Sequence, residues 1–248
     1  MSSRFNFKNF RHHFRARGFT VLELMVVLTI FTIMTGVVLA NLPQFRDQAA
    51  LQLIAEDVAL AIRQAQVYGG ATRGLQSTTG TDFYTYGLVF NINNGGMGGG
   101  GATDKSFVMF TDRLAGFDIV TGPFLPNNNQ YNFGTTPAGT CGGPTTECVE
   151  ISQLTGAVKI QELYQCATPS TCIVKPGSKG FNIMFHRPGP DAQFYSLNAN
   201  LISPAPICVK IRIASTRNLS SAKDVVIWST GHIYTQDVPD AASPGQCS

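Results

Sequence analysis

Between Leu24 and Leu42 nineteen consecutive residues carry no charge. At about 1.5 Å of rise per residue, a helix of that length covers most of a ~30 Å hydrocarbon core. Glu23 stands immediately before the run. A lone carboxylate at the centre of a bilayer costs on the order of 2.5–3.5 kcal/mol even on lenient insertion scales. Any fold for this chain has to house both the apolar run and the acid at its head.

The flanks decide how the run is used. Arg4, Lys8, Arg11, Arg15 and Arg17 precede Gly18 with no acid among them, which holds the N-terminus in the cytoplasm and sends the chain beyond Pro43 to the exported side. A secretory signal peptide has a short apolar run followed by a small-residue cleavage site, whereas here glycine precedes a long run. The formal charge of +3 comes from this leader: beyond Gly18 there are 13 basic and 15 acidic residues, a balance of −2, so bulk charge gives no reason to expect a polyanionic partner. With 44% apolar and 13% charged residues over 248 positions, the chain suits one anchor plus one globular domain that buries a core.

The stretch "RGFTVLELMVVLTI" resembles the class III signal of type IV pilins and pseudopilins. The resemblance implies that a prepilin peptidase cuts between Gly18 and Phe19 and methylates Phe19 as the new N-terminus. It also implies a subunit assembled with other pilin or pseudopilin subunits from the inner membrane, by an ATPase and a polytopic platform protein. The physical chemistry fits. Cleavage creates an α-amine at the membrane boundary, and Glu23 lies one helical turn inside it. A buried ion is tolerated chiefly when paired, so neighbouring subunits would satisfy each other, amine to carboxylate.

Past the anchor, Pro43 is expected to kink or interrupt the helix. Leu51, Ile54, Val58, Ile62 and Ala65 then recur at three- and four-residue spacing, with Ala55 and Ala61 beside them and Arg46, Asp47, Gln52, Glu56, Asp57 and Arg63 on other faces, the pattern of a helix lying on a sheet. Gly69 and Gly70 are its expected stop. One helix from Phe19 to Tyr68 would be about 75 Å long, so its first half should protrude.

From Thr81 the period becomes two. Tyr84, Tyr86, Leu88, Phe90 and Ile92 share one face of a half-buried strand. "SFVMFTD", "ECVEISQL", "AVKIQELY", "GFNIMFHR", "AQFYSLN", "ICVKIRIA", "DVVIWST" and "HIYTQ" are further strands. Leu154-Thr155-Gly156 and Ser229-Thr230-Gly231 read as hairpin turns. The expected fold is α+β and pilin-like: one long N-terminal helix, transmembrane then amphipathic, packed on an antiparallel sheet. The expected divisions are a cleaved leader over 1–18, an assembly helix over 19–42, an amphipathic continuation over 43–70 and an exported β-rich domain over 71–248.

All six cysteines, Cys141, Cys148, Cys166, Cys172, Cys208 and Cys247, fall on the exported side. An even number there favours disulfides. Fifteen pairings are open; the expected set is local loops Cys141–Cys148 and Cys166–Cys172, with Cys208–Cys247 tethering the tail. There is no C-x-x-C, and only His186 and His232 lie beyond the leader, so no metal is predicted. Asp104, Asp112 and Asp118 show no spaced ligand series for calcium. "NNGGMGGGGATDKS" lacks a following helix and the Gly-Lys-Ser/Thr ending of a phosphate loop, and reads as a hairpin tip. The stretch 122–147 reads as a surface excursion. No nucleophile elbow or H-E-x-x-H is present, so neither an enzyme nor a cofactor is expected.

The end of the helix, "FNIMFHRPGPDAQF" and "VVIWSTGHIYT" resemble the H-type pseudopilins of type II secretion and the related FimT-type minor pilins. That resemblance implies a minor filament subunit, although the insertions around Cys141 to Cys172 are larger than that family usually shows. The alternative is a DNA-binding minor pilin for DNA uptake. Lys175, Lys179, Arg187, Lys210, Arg212, Arg217 and Lys223 stand against Asp191 and Asp224. Lys210 and Arg212, on alternate positions of one strand, would share a face able to follow a phosphate backbone. Against it, the closing segment has no arginine and carries Asp237 and Asp240.

Overall fold

Strong helix formers such as Ala, Leu, Gln and Glu dominate the segment after Pro43, so a helix begun in the apolar run can propagate through it. In the computed structural model α1 spans Val21–Gly70 with Pro43 inside it. The expected interruption therefore does not occur. Pro43 withholds one backbone donor from the Leu39 carbonyl, and the helix continues. The structure describes residues 20–71, 74–77, 80–83, 85–92, 102–112, 117–118, 122–123, 141, 147–174, 180–186, 189–197, 201–217, 221–238 and 246–247. The chain divides into two compact units, Met1–Phe45 and Arg46–Ser248.

In the second unit α1 buries Leu51, Ile54, Ala55, Val58, Ala59, Ile62 and Ala65, the face expected from the spacing, with Ala59 added and Ala61 at its margin. The strands that follow are β1 (Gly74–Ser77), β2 (Gly80–Phe83), β3 (Thr85–Asn91), β4 (Ser106–Asp112), β5 (Phe117–Asp118), β6 (Gly122–Pro123), β7 (Cys148–Gln153), β8 (Val158–Thr168), β9 (Thr171–Val174), β10 (Gly180–Phe185), β11 (Ala192–Ser196), β12 (Cys208–Ser215), β13 (Ala222–Trp228) and β14 (Ile233–Asp237). They form not one sheet but two five-stranded antiparallel sheets, ordered β11-β10-β3-β4-β7 and β14-β13-β12-β8-β9, with the pairs β1-β2 and β5-β6 apart. Leu154-Thr155-Gly156 is the crossover from β7 in one sheet to β8 in the other, not a hairpin turn. Ser229-Thr230-Gly231 does join neighbours, β13 and β14.

One continuous core holds the helix face together with Leu88, Phe90, Phe107, Phe181, Ile183 and Phe185 from the first sheet and Ile160, Leu163, Val209, Ile211, Ile213, Val225 and Ile227 from the second. The helix is also fastened by polar contacts. Gln66 Nε2 donates to the carbonyls of Pro190 and Gly231, both at 2.9 Å, and Arg63 Nη2 donates to the Ile233 carbonyl at 3.0 Å. Gly69 does more than end the helix: a Cβ there would come within 2.6 Å of the Phe185 carbonyl oxygen, so glycine lets α1 approach β10.

Strand β3 is not half-buried. Tyr86, Leu88 and Phe90 are buried as expected, but so is Val89 on the other face, packed with Val108, Phe110, Met184, Tyr195 and Cys148 in a second apolar cluster. Tyr84 lies outside the described residues, as do 93–101, most of 122–147, and the leader through Phe19. Lys210 and Arg212, expected on an open face, are both fully buried.

Candidate functional site

The helix start is built from Thr20. Its carbonyl accepts the first intrahelical bond, from Leu24 N at 3.1 Å, and its Oγ1 accepts a bond from Glu23 N at 3.2 Å. Thr20 is therefore the N-cap and Glu23 the third helical residue, the spacing of a capping box. A carboxylate in the first turn also lies at the positive end of the helix dipole. Glu23 thus has a place in the isolated helix as well as any in an assembly. The sequence signal for this cap is Ser/Thr-x-x-Glu before an apolar run, here Thr20 and Glu23.

Every residue from Thr20 to Asn41 is exposed, and large apolar side chains point in all directions around the helix, among them Leu22, Met25, Phe31, Met34 and Val38. A helix that is apolar all round is stable only when something covers it. The segment is long and apolar enough to cross a membrane. Three of its polar side chains are satisfied internally: Thr29 Oγ1 donates to the Met25 carbonyl at 2.8 Å, Thr32 Oγ1 to that of Leu28 at 2.7 Å, and Asn41 Nδ2 to that of Val37 at 3.1 Å. Such bonds remove the penalty of bringing hydroxyl and amide groups into hydrocarbon. Glu23 remains the one charged side chain between Thr20 and Phe45. Gly18 and Phe19, the expected processing residues, lie outside the described residues.

The basic residues of the second sheet form a buried network. Register places Arg212 between Glu162 and Asp224, Lys210 between Tyr164 and Val226, and Cys208 between Cys166 and Trp228. The alternation that put Lys210 and Arg212 on one face holds, but it could not report that this face is covered. Arg212 makes a two-pronged contact to Asp224, Nε to Oδ1 at 2.8 Å and Nη2 to Oδ2 at 3.0 Å. Lys210 Nζ lies 3.4 Å from Oδ2 of the same carboxylate. Arg212 Nη1 donates to the Tyr164 hydroxyl at 2.9 Å, and that hydroxyl donates to Glu162. Burial pushes the Lys210 ammonium below its ordinary range, against the pull of Asp224. Burial pushes the Tyr164 phenol up, reinforced by its bond to Glu162. Burial also acts to lower Arg212, but the bonds to Asp224 outweigh it and hold the guanidinium charged.

Two further cations of the expected basic set are paired as well: Arg217 with Asp47 at 3.2 Å and Lys223 with Asp237 at 2.6 Å. Lys210 and Arg212 therefore offer no surface to a phosphate backbone in this structure. Lys175, Lys179 and Arg187 lie outside the described residues.

A β-bulge makes the network possible. Arg212 pairs with Glu162 while Ile213 pairs with Ile160, so Gln161 is the extra residue. It shifts the phase of β8: Val158 and Ile160 face the helix on one side of it and Leu163 on the other, turning Glu162, Tyr164 and Cys166 toward Arg212, Lys210 and Cys208.

The three disulfides are Cys141–Cys148, Cys166–Cys172 and Cys208–Cys247, the expected pairs. Cys166–Cys172 bridges the β8-β9 hairpin rather than a loop. The sulfurs of Cys166, Cys172, Cys208 and Cys247 lie within 4.8 Å of one another, a spacing that would suit a metal. They are bonded in pairs and so are not the thiolates a metal needs.

The prokaryotic N-terminal methylation motif matches residues 13–39. No curated protein and no solved structure matches the chain. The motif is the class III prepilin signal. Together with the apolar helix and the antiparallel sheets, it supports a type IV pilin-like protein, anchored in a membrane and processed by prepilin peptidase as a pilin-type subunit.

Proposed function

We propose that the chain is a minor subunit of a type IV pilus-like or type II secretion pseudopilus filament, of the H-type pseudopilin or FimT-type kind, and that it acts by polymerising rather than by catalysis. Prepilin peptidase cuts between Gly18 and Phe19 and methylates Phe19. The anchored helix waits in the inner membrane with its N-terminus toward the cytoplasm, and extraction by the assembly machinery carries the β-rich domain into an extracytoplasmic filament.

The observation that carries this reading is Glu23, the one charge in an exposed apolar helix. It lies four residues, or about 6 Å of rise, from the amine that cleavage would create. In a bundle of such helices the carboxylate of one subunit and the terminal amine of the next neutralise each other in a medium that penalises either alone. Leu53, Leu60 and Val67 add support. They remain exposed at seven-residue spacing along the second half of α1, a seam on which neighbouring helices can continue to pack.

The test is Glu23→Ala in cells that assemble the filament. Membrane insertion should be unchanged while incorporation into sheared filaments is lost, with Glu23→Asp recovering part of it. Parental incorporation of Glu23→Ala would contradict the pairing.

A further inference from the structure

On the face of the second sheet opposite the helix, Cys166 has cysteine partners on both sides: Cys172 across on β9 and Cys208 across on β12. Cys247, from the chain's end, completes the group. Its backbone N–H donates to the Pro169 carbonyl at 2.8 Å, and Gln246 accepts a bond from Gln236 at 2.8 Å. All four cysteines are buried. The two bridges are almost in contact, with Cys172 Sγ 3.9 Å from Cys247 Sγ and all four sulfurs within 4.8 Å of one another.

Three pairings can be drawn through the same sulfurs, and the 3.9 Å approach of Cys172 to Cys247 favours one of them as the alternative to the observed Cys166–Cys172 with Cys208–Cys247: Cys166–Cys208 with Cys172–Cys247. We infer that the four cysteines form a single thiol–disulfide exchange unit that keeps the C-terminal segment bonded to the sheet when either bridge is lost.

The chemistry balances without an added oxidant. A dithiol reductant that opens Cys208–Cys247 supplies two electrons and two protons and becomes a disulfide itself. The freed Cys247 thiolate attacks Cys172 Sγ, the Cys172–Cys247 bond forms, the Cys166–Cys172 bond breaks, and the departing Cys166 thiolate takes up a proton. Opening Cys166–Cys172 instead frees Cys172, which attacks Cys247 Sγ and expels Cys208. Both routes end on the same new bond, Cys172–Cys247, and the tail stays attached, to β9 in place of β12. Reduction by two electrons shifts the tether and does not release it. Cys141–Cys148 stands outside this group, and its loss should leave the pairing of the others untouched.

The experiment uses the full chain, equilibrated folded in detergent, then quenched and unfolded at acidic pH, alkylated there with N-ethylmaleimide and mapped by peptide mass spectrometry without reduction. Cys166→Ser and Cys208→Ser should each yield a Cys172–Cys247 linked peptide, with Cys208 alkylated in the first and Cys166 in the second; Cys141→Ser should yield none. The proposal is overturned if either of the first two variants keeps only its surviving native bridge, with Cys172 or Cys247 as the alkylated thiol. Should those variants fail to fold, brief reduction of the parent with dithiothreitol decides. Species one bridge short should contain Cys172–Cys247, and finding only native pairs among them overturns the proposal equally.

Discussion

Replacing Asp224 with Asn would remove the carboxylate that Arg212 and Lys210 both contact. In the parent, one carboxylate meets two cations, at 2.8 and 3.0 Å from Arg212 and 3.4 Å from Lys210, and all three side chains are at most 1% exposed. Breaking a buried pair by removing one partner typically costs about 3–5 kcal/mol, because the remaining charge keeps its desolvation penalty and loses its compensation. That is a large part of the ~5–15 kcal/mol that holds a domain folded. For a unit of this size about 1 kcal/mol moves Tm by roughly 2–4 °C, so Asp224→Asn should lower Tm by about 6–20 °C, measured on the detergent-solubilised chain by circular dichroism and by urea midpoint. A control separates charge burial from general damage. Exchanging Lys210, Arg212 and Asp224 together for Met, Met and Leu removes the three fully buried ions and should return most of the loss. An Asp224→Asn protein within about 1 kcal/mol of the parent would refute the reasoning, since a cost that small belongs to surface ion pairs.

Two smaller perturbations test other joints of the domain. Gly231 sits at φ +83°, where a Cβ would collide with the Pro190 carbonyl oxygen and Gln66 Nε2; Gly231→Ala should destabilise by about 1–3 kcal/mol in urea unfolding, whereas an unchanged midpoint would mean the turn relaxes freely. Burial holds His186 below its ordinary 6.5, so between the folded value and 6.5 the unfolded chain binds more protons. Stability should therefore fall as pH drops below about 6.5 and level off above it, and His186→Gln should flatten that fall.

Local pattern carried much of this fold, and long-range pairing carried what it missed. The face of α1 from Leu51 to Ala65 could be read because a helix repeats its contacts every three or four residues. Lys210 and Arg212 could be placed on one face by alternation, but whether that face meets water depends on what covers it, which alternation does not encode. The bulge at Gln161 was illegible because it exists only in the register between β8 and β12, some fifty residues apart in sequence. Without it Glu162, Tyr164 and Cys166 would point toward the helix, and neither the ion network nor the cysteine group would form. Leu154-Thr155-Gly156 has the composition of a hairpin turn, but composition does not say whether the next strand stays in its sheet. Strand β9 escaped because it is four residues long, below the length at which alternation is distinguishable from chance. At the helix start, the Thr20-x-x-Glu23 spacing makes the cap legible in local sequence, because both partners lie within one turn.

The central claim is that the apolar helix is a processed polymerisation element. It is tested most directly by the N-terminal residue of this chain in sheared filaments, read by intact-mass and peptide mass spectrometry. The account predicts a chain that begins at N-methylated Phe19 and is present in the filament fraction. A chain that keeps its leader and stays in the membrane, or one cut anywhere other than after Gly18, would contradict it.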